Sequence, residues 1–360
     1  MFATIDSGTT NSRVYLLDDR LQILAKGVKQ VGVRDTAITG SRQTLREGLS
    51  ALLLDTLRQA DRRVADLECA IASGMITSEI GLLEIPHLSA PAGREELAQH
   101  LRSVRDPHVL PVDLELVFIP GIKNAAAADA GVQGIRRIDF MRGEETQVMG
   151  LLTRAEIPPP LTAVVLSSHT KYIAVAADRR IAGSLTTLSG QIFEAVRQST
   201  SIGKSIAGPE LGPLDLDAEI IRSAYDAVVC AGFLRALLMP RFLEVLLDVP
   251  APKRRLFLEA AIATEDLVAL DDFPLLGLSR DVPFVLVGRP ERCALFGALL
   301  ERRLGPGVVF SEISSAEDVD WLSIRGAVAV AQRAGYLKRC ACPSPERLRG
   351  RETRAEEDRA

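Results

Sequence analysis

The sequence predicts an α/β protein of two domains, and three observations carry that prediction. Short β-rich runs alternate with stretches of helical periodicity. A chain of 360 residues is long enough for two cores at about 150 residues per domain. A strand, hydroxyl-rich turn, strand pattern opens the chain and recurs after Pro158-Pro159-Pro160, a run that no helix can cross. The expected division is residues 1–155, residues 156–340 and a disordered tail over 341–360, where nearly every residue is charged or small.

In order along the chain, residues 2–5 and 13–17 read as strands flanking the polar turn Asp6-Ser7-Gly8-Thr9-Thr10-Asn11, with a third strand over 21–26. Leu45, Leu49, Leu52, Leu53 and Leu57 fall at helical spacing within 41–60, and Thr44 with Glu47 suggests a capping box in its first turn. Residues 69–72 read as a buried strand running into the loop Ser73-Gly74-Met75-Ile76-Thr77-Ser78, and 117–119 as another, stopped by Pro120-Gly121. In the second half, strands are expected over 161–166 and 172–176 around the turn Ser167-Ser168-His169-Thr170-Lys171. Long helices follow over 217–238 and 315–334; between them a strand over 284–288 enters a helix over 290–304.

Charge and composition narrow the function classes. Lys and Arg number 43 against 47 Asp and Glu, a net charge of −4, which lacks the basic footprint of a nucleic-acid binder. No run reaches the roughly 18 apolar residues of a membrane span. The first residues carry neither the basic nor the apolar region of a secretion signal. Five cysteines without framework spacing suit a reducing compartment. A soluble cytoplasmic protein without nucleic-acid or membrane partners is expected. His87, His100 and His108 lack zinc-ligand spacing, Cys340-Ala341-Cys342 has no partner motif, and neither a P-loop nor a nucleophile elbow occurs.

Chemistry concentrates in the turns. Gly8 permits close backbone approach, Thr9 and Thr10 offer hydroxyls for phosphate oxygens, and Asp6 at the strand end suits a hydrated Mg²⁺. The alternative is an ordinary polar hairpin turn. Met141-Arg142-Gly143-Glu144-Glu145-Thr146-Gln147 places two carboxylates at a helix start, where one can serve as proton acceptor or both can merely stabilise the first turn. His169 and Lys171 are candidate donors to a transferring phosphoryl group, or solvated turn residues.

Together these segments resemble the 2-dehydro-3-deoxygalactonokinase family, sugar-acid kinases of the actin/hexokinase/Hsp70 superfamily. The family's Asp-Trp-Gly-Thr/Ser-Thr-Asn-x-Arg motif corresponds to Asp6 through Asn11 with Ser12 and Arg13. Its Met-Arg-Gly-Glu-Glu-Thr-Gln block stands intact from Met141 to Gln147, its Gly-Met-x-Gly/Thr-Ser loop looks like Gly74 to Ser78, and its Ile-Pro-Gly matches Ile119-Pro120-Gly121. The resemblance implies two ribonuclease-H-like (actin-like ATPase) domains around a central cleft that binds ATP and Mg²⁺. It implies metal at Asp6 and nucleotide contacts at Gly8, Thr9, Thr10, Asn11, Ser168, His169, Lys171 and Gly288. It implies Glu144 as catalytic acid/base with Glu145 as fallback. A substrate carboxylate needs cationic or N–H partners, for which Arg142, Lys123, Arg94 and the Gly74, Met75, Ser78 loop are candidates. The implied activity is ATP-dependent phosphorylation of a 2-keto-3-deoxy sugar acid, 2-dehydro-3-deoxy-D-galactonate to its 6-phosphate, in a possible homodimer. A catalytically degenerate sugar-acid binder or a kinase of another sugar are the alternatives. Three departures motivate the first alternative: Ser167 stands where the family has Gly, Gln191 where it has Glu, and Ala260 to Thr264 where a Gly-rich segment is usual; the second follows from the architecture that carbohydrate kinases share.

Overall fold

The computed structural model describes residues 1–125, 131–208 and 216–338. The expected tail over 341–360 and the Cys340/Cys342 pair lie outside the described residues. The described residues divide into two compact units: Met1–Pro86 with Arg94–Gly121 and residues 323–338, and His87–Gly93 with the described part of Ile122–Leu322.

The first unit is built on β1 (Phe2–Ser7), β2 (Ser12–Leu17), β3 (Ile23–Lys29), β4 (Ala70–Gly74), β6 (Arg102–Val104) and β7 (Leu116–Phe118), ordered β3-β2-β1-β4-β7-β6. β1, β2 and β3 form an antiparallel meander, while β4 joins β1 in parallel and β7 joins β4 in parallel. Helices α1 (Val33–Thr39), α2 (Gln43–Gln59) and α3 (Arg94–Gln99) belong to this unit. Leu45, Leu49, Leu53 and Leu57 of α2 are buried against Ile5, Val14 and Ala72 of the sheet, each such side chain stabilising the fold by about 1.5–3 kcal/mol. The expected capping box is not formed: Arg42 is the N-cap and contributes no side-chain capping bond.

The second unit repeats the plan. Its main sheet runs β12 (Ile181–Thr187), β11 (Thr170–Val175), β10 (Leu161–Leu166), β13 (Phe284–Gly288), β14 (Phe310–Ile313), again a three-strand antiparallel meander whose first strand continues in parallel into β13 and β14. All residues of β10 and β11 are buried, the near-continuous apolar pattern of strands covered on both faces. Each unit therefore carries the ribonuclease-H-like strand order that the resemblance implies. A small sheet of β5 (Leu88–Ser89), β8 (Ile122–Lys123) and β9 (Phe140–Met141) and the helix α4 (Glu144–Leu151) also belong here.

Residues 122–151 thus fall in the second unit, although the sequence places the boundary at 155. Hydrogen bonds give the reason. The Asn124 amide donates to the Ser184 carbonyl (2.9 Å) and accepts from the Ser184 N–H (2.8 Å). The Asp139 carboxylate accepts from the Ser184 and Thr186 hydroxyls (2.9 Å each). These bonds fasten the small sheet to β12.

Between β12 and β13 lies a helical insertion: α5 (Ser189–Ser199), α6 (Ile202–Ser205), α7 (Ala218–Ala231), α8 (Phe233–Val245) and α9 (Ala251–Asp266). The single helix expected over 217–238 is two helices, because Gly232 at φ 87° ends α7 and opens α8. α7 starts where Asp217 accepts from the Glu219 and Ile220 amides. Helix α10 (Pro290–Leu304) begins on proline as expected, and α11 (Ala316–Arg333) closes the described chain. Among the described residues no helix is long and apolar enough to cross a membrane.

Candidate functional site

The first polar turn joins β1 to β2. The Gly8 N–H donates to the Asn11 carbonyl (2.9 Å), closing the bend, and the Gly8 and Thr9 carbonyls accept from the Val33 and Arg34 N–H groups behind it. The amides of Thr9 and Thr10 make no hydrogen bond among the described residues. The turn thus has its Gly8 and Thr9 carbonyls satisfied from behind and two amide donors left over, the polarity an anion site requires. Asn11 is exposed beside them. Two glycines make the close packing possible. A Cβ on Gly32 would meet the Thr9 carbonyl oxygen at 2.5 Å, and one on Gly74, at φ +92°, would meet the Ser7 carbonyl oxygen at 2.5 Å.

Asp6 and Gly74 are brought together, since β1 pairs with β4 and a Gly74 Cβ would lie 3.3 Å from an Asp6 carboxylate oxygen. Arg13 stands 3.6 Å from the Asp6 carboxylate. One partly exposed carboxylate matches the way Mg²⁺ is commonly held, through one or two acids plus water and phosphate oxygens, so the residues present fit that ion. Met75 packs on the first unit's core, and the Ser78 hydroxyl donates to the Met75 carbonyl (2.8 Å) while Ser78 itself is buried. These two residues shape the loop from within.

The second turn, between β10 and β11, has the same logic. The Ser167 N–H donates to the His169 carbonyl (3.0 Å), and the amides of Ser168 and His169 make no hydrogen bond among the described residues. Arg292 of α10 donates to the Ser167 carbonyl (2.5 Å), and the Gln191 N–H of α5 to the Ser168 carbonyl (3.0 Å). Gly288 at the end of β13 packs on Leu166, where a Cβ would meet Leu166 atoms at 2.9 Å. At Gly190 a Cβ would lie 2.6 Å from the Ser167 carbonyl oxygen and 2.8 Å from that of Ser168. Both obstacles are backbone, so Gly190→Ala is expected to cost about 1–3 kcal/mol, read as a lowered unfolding midpoint; an unchanged midpoint would mean that the turn yields freely.

Below this turn, Thr187 donates to the Asp266 carboxylate, the Thr170 and Ser189 hydroxyls share a hydrogen bond (2.7 Å), and the Tyr172 hydroxyl donates to the Asp266 carbonyl (2.8 Å). Burial raises the Asp266 carboxyl above its ordinary range, against the pull of its hydroxyl donors. A pocket of about 540 Å³ opens beside this network, lined among others by Ser189, Ile192, Phe233, Ile262 and Asp266. It does not reach Ser168, His169 or Glu144.

Lys171 is placed differently from the expectation. Its side chain is buried, and the ammonium donates to the Phe140 carbonyl (2.7 Å) at the end of β9. It therefore ties the second turn to the segment that carries Arg142, Gly143 and Glu144. The electrostatics agree: burial and the Lys171 charge hold the His169 imidazole below its ordinary range, while Glu144 and Asp139 pull the other way. His169, Lys171 and Glu144 are neighbours within one unit.

The two glutamates separate cleanly. Gly143 turns the chain at φ 109° into α4, and its N–H donates to both carboxylate oxygens of Glu145 (2.9 and 2.8 Å). Thr146 adds its hydroxyl (3.1 Å), and Glu145 has no exposed surface. Burial, reinforced by the adjacent Glu144 charge, pushes the Glu145 carboxyl up to about 8. Glu145 is thus committed to the helix start. Glu144 is only half-buried, which leaves it as the carboxylate of the pair able to meet a ligand. Arg142 approaches His87 Nδ1 at 3.4 Å, and the His87 ring packs edge-on against Phe140 (centroids 5.1 Å apart). Sequence reasoning gave His87 no role; its position after Pro86 carried no signal. Lys123 is exposed on β8, in the same unit as Arg142. Arg94 starts α3 in the first unit.

The chain resembles known proteins in family, in sequence and in fold. A family model described as 2-keto-3-deoxy-galactonokinase matches residues 6–316. The probable 2-dehydro-3-deoxygalactonokinase of Rhizobium meliloti (strain 1021) is 26% identical over 206 residues, 57% of this chain and 59% of that protein. The 2-dehydro-3-deoxygalactonokinase of Escherichia coli (strain K12) is 27% identical over 175 residues, 49% of this chain and 50% of that one. The matches thus span only 59% and 50% of the length of these curated relatives. A crystal structure from Sinorhizobium meliloti, described as a candidate 2-dehydro-3-deoxygalactonokinase, superposes with a TM-score of 0.71 at 22% identity, covering 92% of this chain and 98% of that one. That likeness establishes the shared fold.

Proposed function

We propose that this chain, which belongs to the 2-keto-3-deoxy-galactonokinase family, transfers the γ-phosphoryl group of ATP to a hydroxyl of a 2-keto-3-deoxy sugar acid in the cytoplasm. The substrate we propose is 2-dehydro-3-deoxy-D-galactonate, phosphorylated at its 6-hydroxyl. The observation that carries the reading is the pair of turns, each with two amide donors unspent, one of them beside a half-buried glutamate.

In this reading the amides and hydroxyls of Thr9 and Thr10 and the amides of Ser168 and His169 bind phosphate oxygens, with Gly8 and Gly288 allowing the backbone to come close. Asp6 would hold a hydrated Mg²⁺, whose charge would offset that of the ATP phosphates. Phosphoryl transfer asks a protein mainly for positioning and electrostatics. Glu144 orients the acceptor hydroxyl and takes its proton as the oxygen attacks in line. Arg142, steadied by His87, meets the substrate carboxylate, with Lys123 as a second cation. Lys171 holds β9 so that Gly143 and Glu144 keep their place beside the second turn.

Incubating the purified protein with ATP, Mg²⁺ and 2-dehydro-3-deoxy-D-galactonate tests this directly. ADP formation that depends on the sugar acid is expected. Turnover only with a different sugar would move the substrate, and none with any sugar or sugar acid would sink the reading.

A further inference from the structure

We infer that Gln191 is a positioning residue: it fixes His169 as the neutral Nδ1–H tautomer, so that the Ser168 hydroxyl is free to donate to a bound phosphate. The inference rests on the phosphate-binding reading of the second turn for its ligand, but its chemistry is read from this chain alone.

The argument follows donors and acceptors along one line of side chains. Gln191 Nε2 lies 3.3 Å from His169 Nε2, and His169 Nδ1 lies 3.3 Å from Ser168 Oγ. A side-chain amide nitrogen only donates. With Gln191 turned so that its Nε2 faces the ring, His169 Nε2 is the acceptor and carries no proton, and the neutral ring keeps its hydrogen on Nδ1. Nδ1–H donates to Ser168 Oγ, filling one of its lone pairs. The Ser168 hydroxyl hydrogen has no other acceptor among the described residues, so it points to whatever occupies the turn. Had the ring carried its hydrogen on Nε2, Nδ1 would be the acceptor and would consume the Ser168 hydrogen.

Backbone holds Gln191 to this task. Its own N–H donates to the Ser168 carbonyl, and Gly190 lets α5 approach the turn closely enough for that bond. The charged groups around His169 are Lys171, Glu144 and Asp139, from β11, the start of α4 and the residue preceding β9. Burial and Lys171 disfavour the imidazolium more than the two carboxylates favour it. A neutral ring is what the relay needs. A carboxylate at position 191 would reverse the first link, accepting from Nε2–H and favouring the cation.

The test uses the full chain with ¹⁵N-labelled histidine. His169 is assigned by its loss in His169→Asn, and two-bond N–H couplings report the tautomer near pH 7.5. The Nδ1–H pattern is expected; an Nε2–H pattern or an imidazolium overturns the relay, whether or not the protein turns out to be a kinase. In Gln191→Glu the His169 pKa should rise by about one unit or more, and the KM for ATP by several-fold with a smaller change in kcat. Ser168→Ala should raise the ATP KM similarly, and the double variant should add little to either single change. A Gln191→Glu protein with an unmoved His169 pKa, or fully additive effects in the pair, would count against the proposal. A relay tautomer in a protein that forms no ADP would instead remove the kinase reading and leave the tautomer assignment standing.

Discussion

Glu144→Gln is expected to lower turnover by about 10²–10⁴, the usual contribution of a positioned general base, while leaving ATP affinity within about two-fold. The amide keeps the size and hydrogen-bonding reach of the carboxylate but cannot take a proton. Its neighbour is no substitute, because the Glu145 carboxylate is turned onto the Gly143 amide and has no exposed surface. Steady-state ADP formation and calorimetric titration with ATP and Mg²⁺ read the two quantities separately. Turnover within a factor of ten of the unaltered protein would mean that Glu144 is not the base. The same variant has a second signature. Glu144 pulls the His169 imidazole upward and pushes the Glu145 carboxyl upward, so removing its charge should lower both. A kinetic loss without either shift would point to damage at α4 and not to a missing base.

How much of this was legible without coordinates differs from feature to feature, and the differences have physical causes. Both turns could be read because runs of small polar and hydroxyl residues between short apolar strands, with Gly8 in the first, mark turns. The first meander, β1 to β3, was local and therefore visible; of the second only the two strands around the turn were read, and β12 was missed. The break at Gly232 was not, since apolar periodicity continues across it and a glycine inside a helix is tolerated at about 1 kcal/mol. The grouping of residues 87–93 and 122–151 with the second unit depends on β5 pairing with β8 and on Asn124 and Asp139 reaching β12. Contacts between distant segments leave no periodic trace. For Glu144 and Glu145 the sequence could name the pair but not choose. Adjacent helical residues point about 100° apart, and only the packing of α4 decides which side is buried. Lys171 shows the same limit. A lysine beside a phosphate turn suggests a phosphate contact, and only the structure shows that one of its three N–H donors goes to the Phe140 carbonyl.

The buried Glu145 predicts that stability falls as pH rises from about 5 to about 8. Unfolded, this carboxyl ionises around its ordinary 4.5; folded, it keeps its proton up to about 8 because burial and the Glu144 charge outweigh the donors at Gly143 and Thr146. Across that window the folded state holds a proton that the unfolded state has released. The stability of the fold therefore drops with rising pH, by at most about 1.4 kcal/mol per pH unit, and levels off once both forms are ionised. His169 works in the opposite sense. Its depressed folded pKa makes stability rise with pH, but only below its ordinary 6.5, so it leaves the interval from 6.5 to 8 untouched. Asp266, raised by burial, adds to the downward trend from its ordinary 3.8 upward, and a variant is needed to separate the two. Glu145→Gln should flatten the profile between 6.5 and 8 and make the protein more stable than the unaltered chain at pH 8, because a neutral amide can accept from Gly143 without ever charging. Thermal unfolding followed by circular dichroism at half-unit pH steps supplies the curves. A profile with the same slope in both proteins would mean that the Glu145 carboxyl is already ionised at neutral pH, and that the donors at Gly143 and Thr146 prevail over its burial.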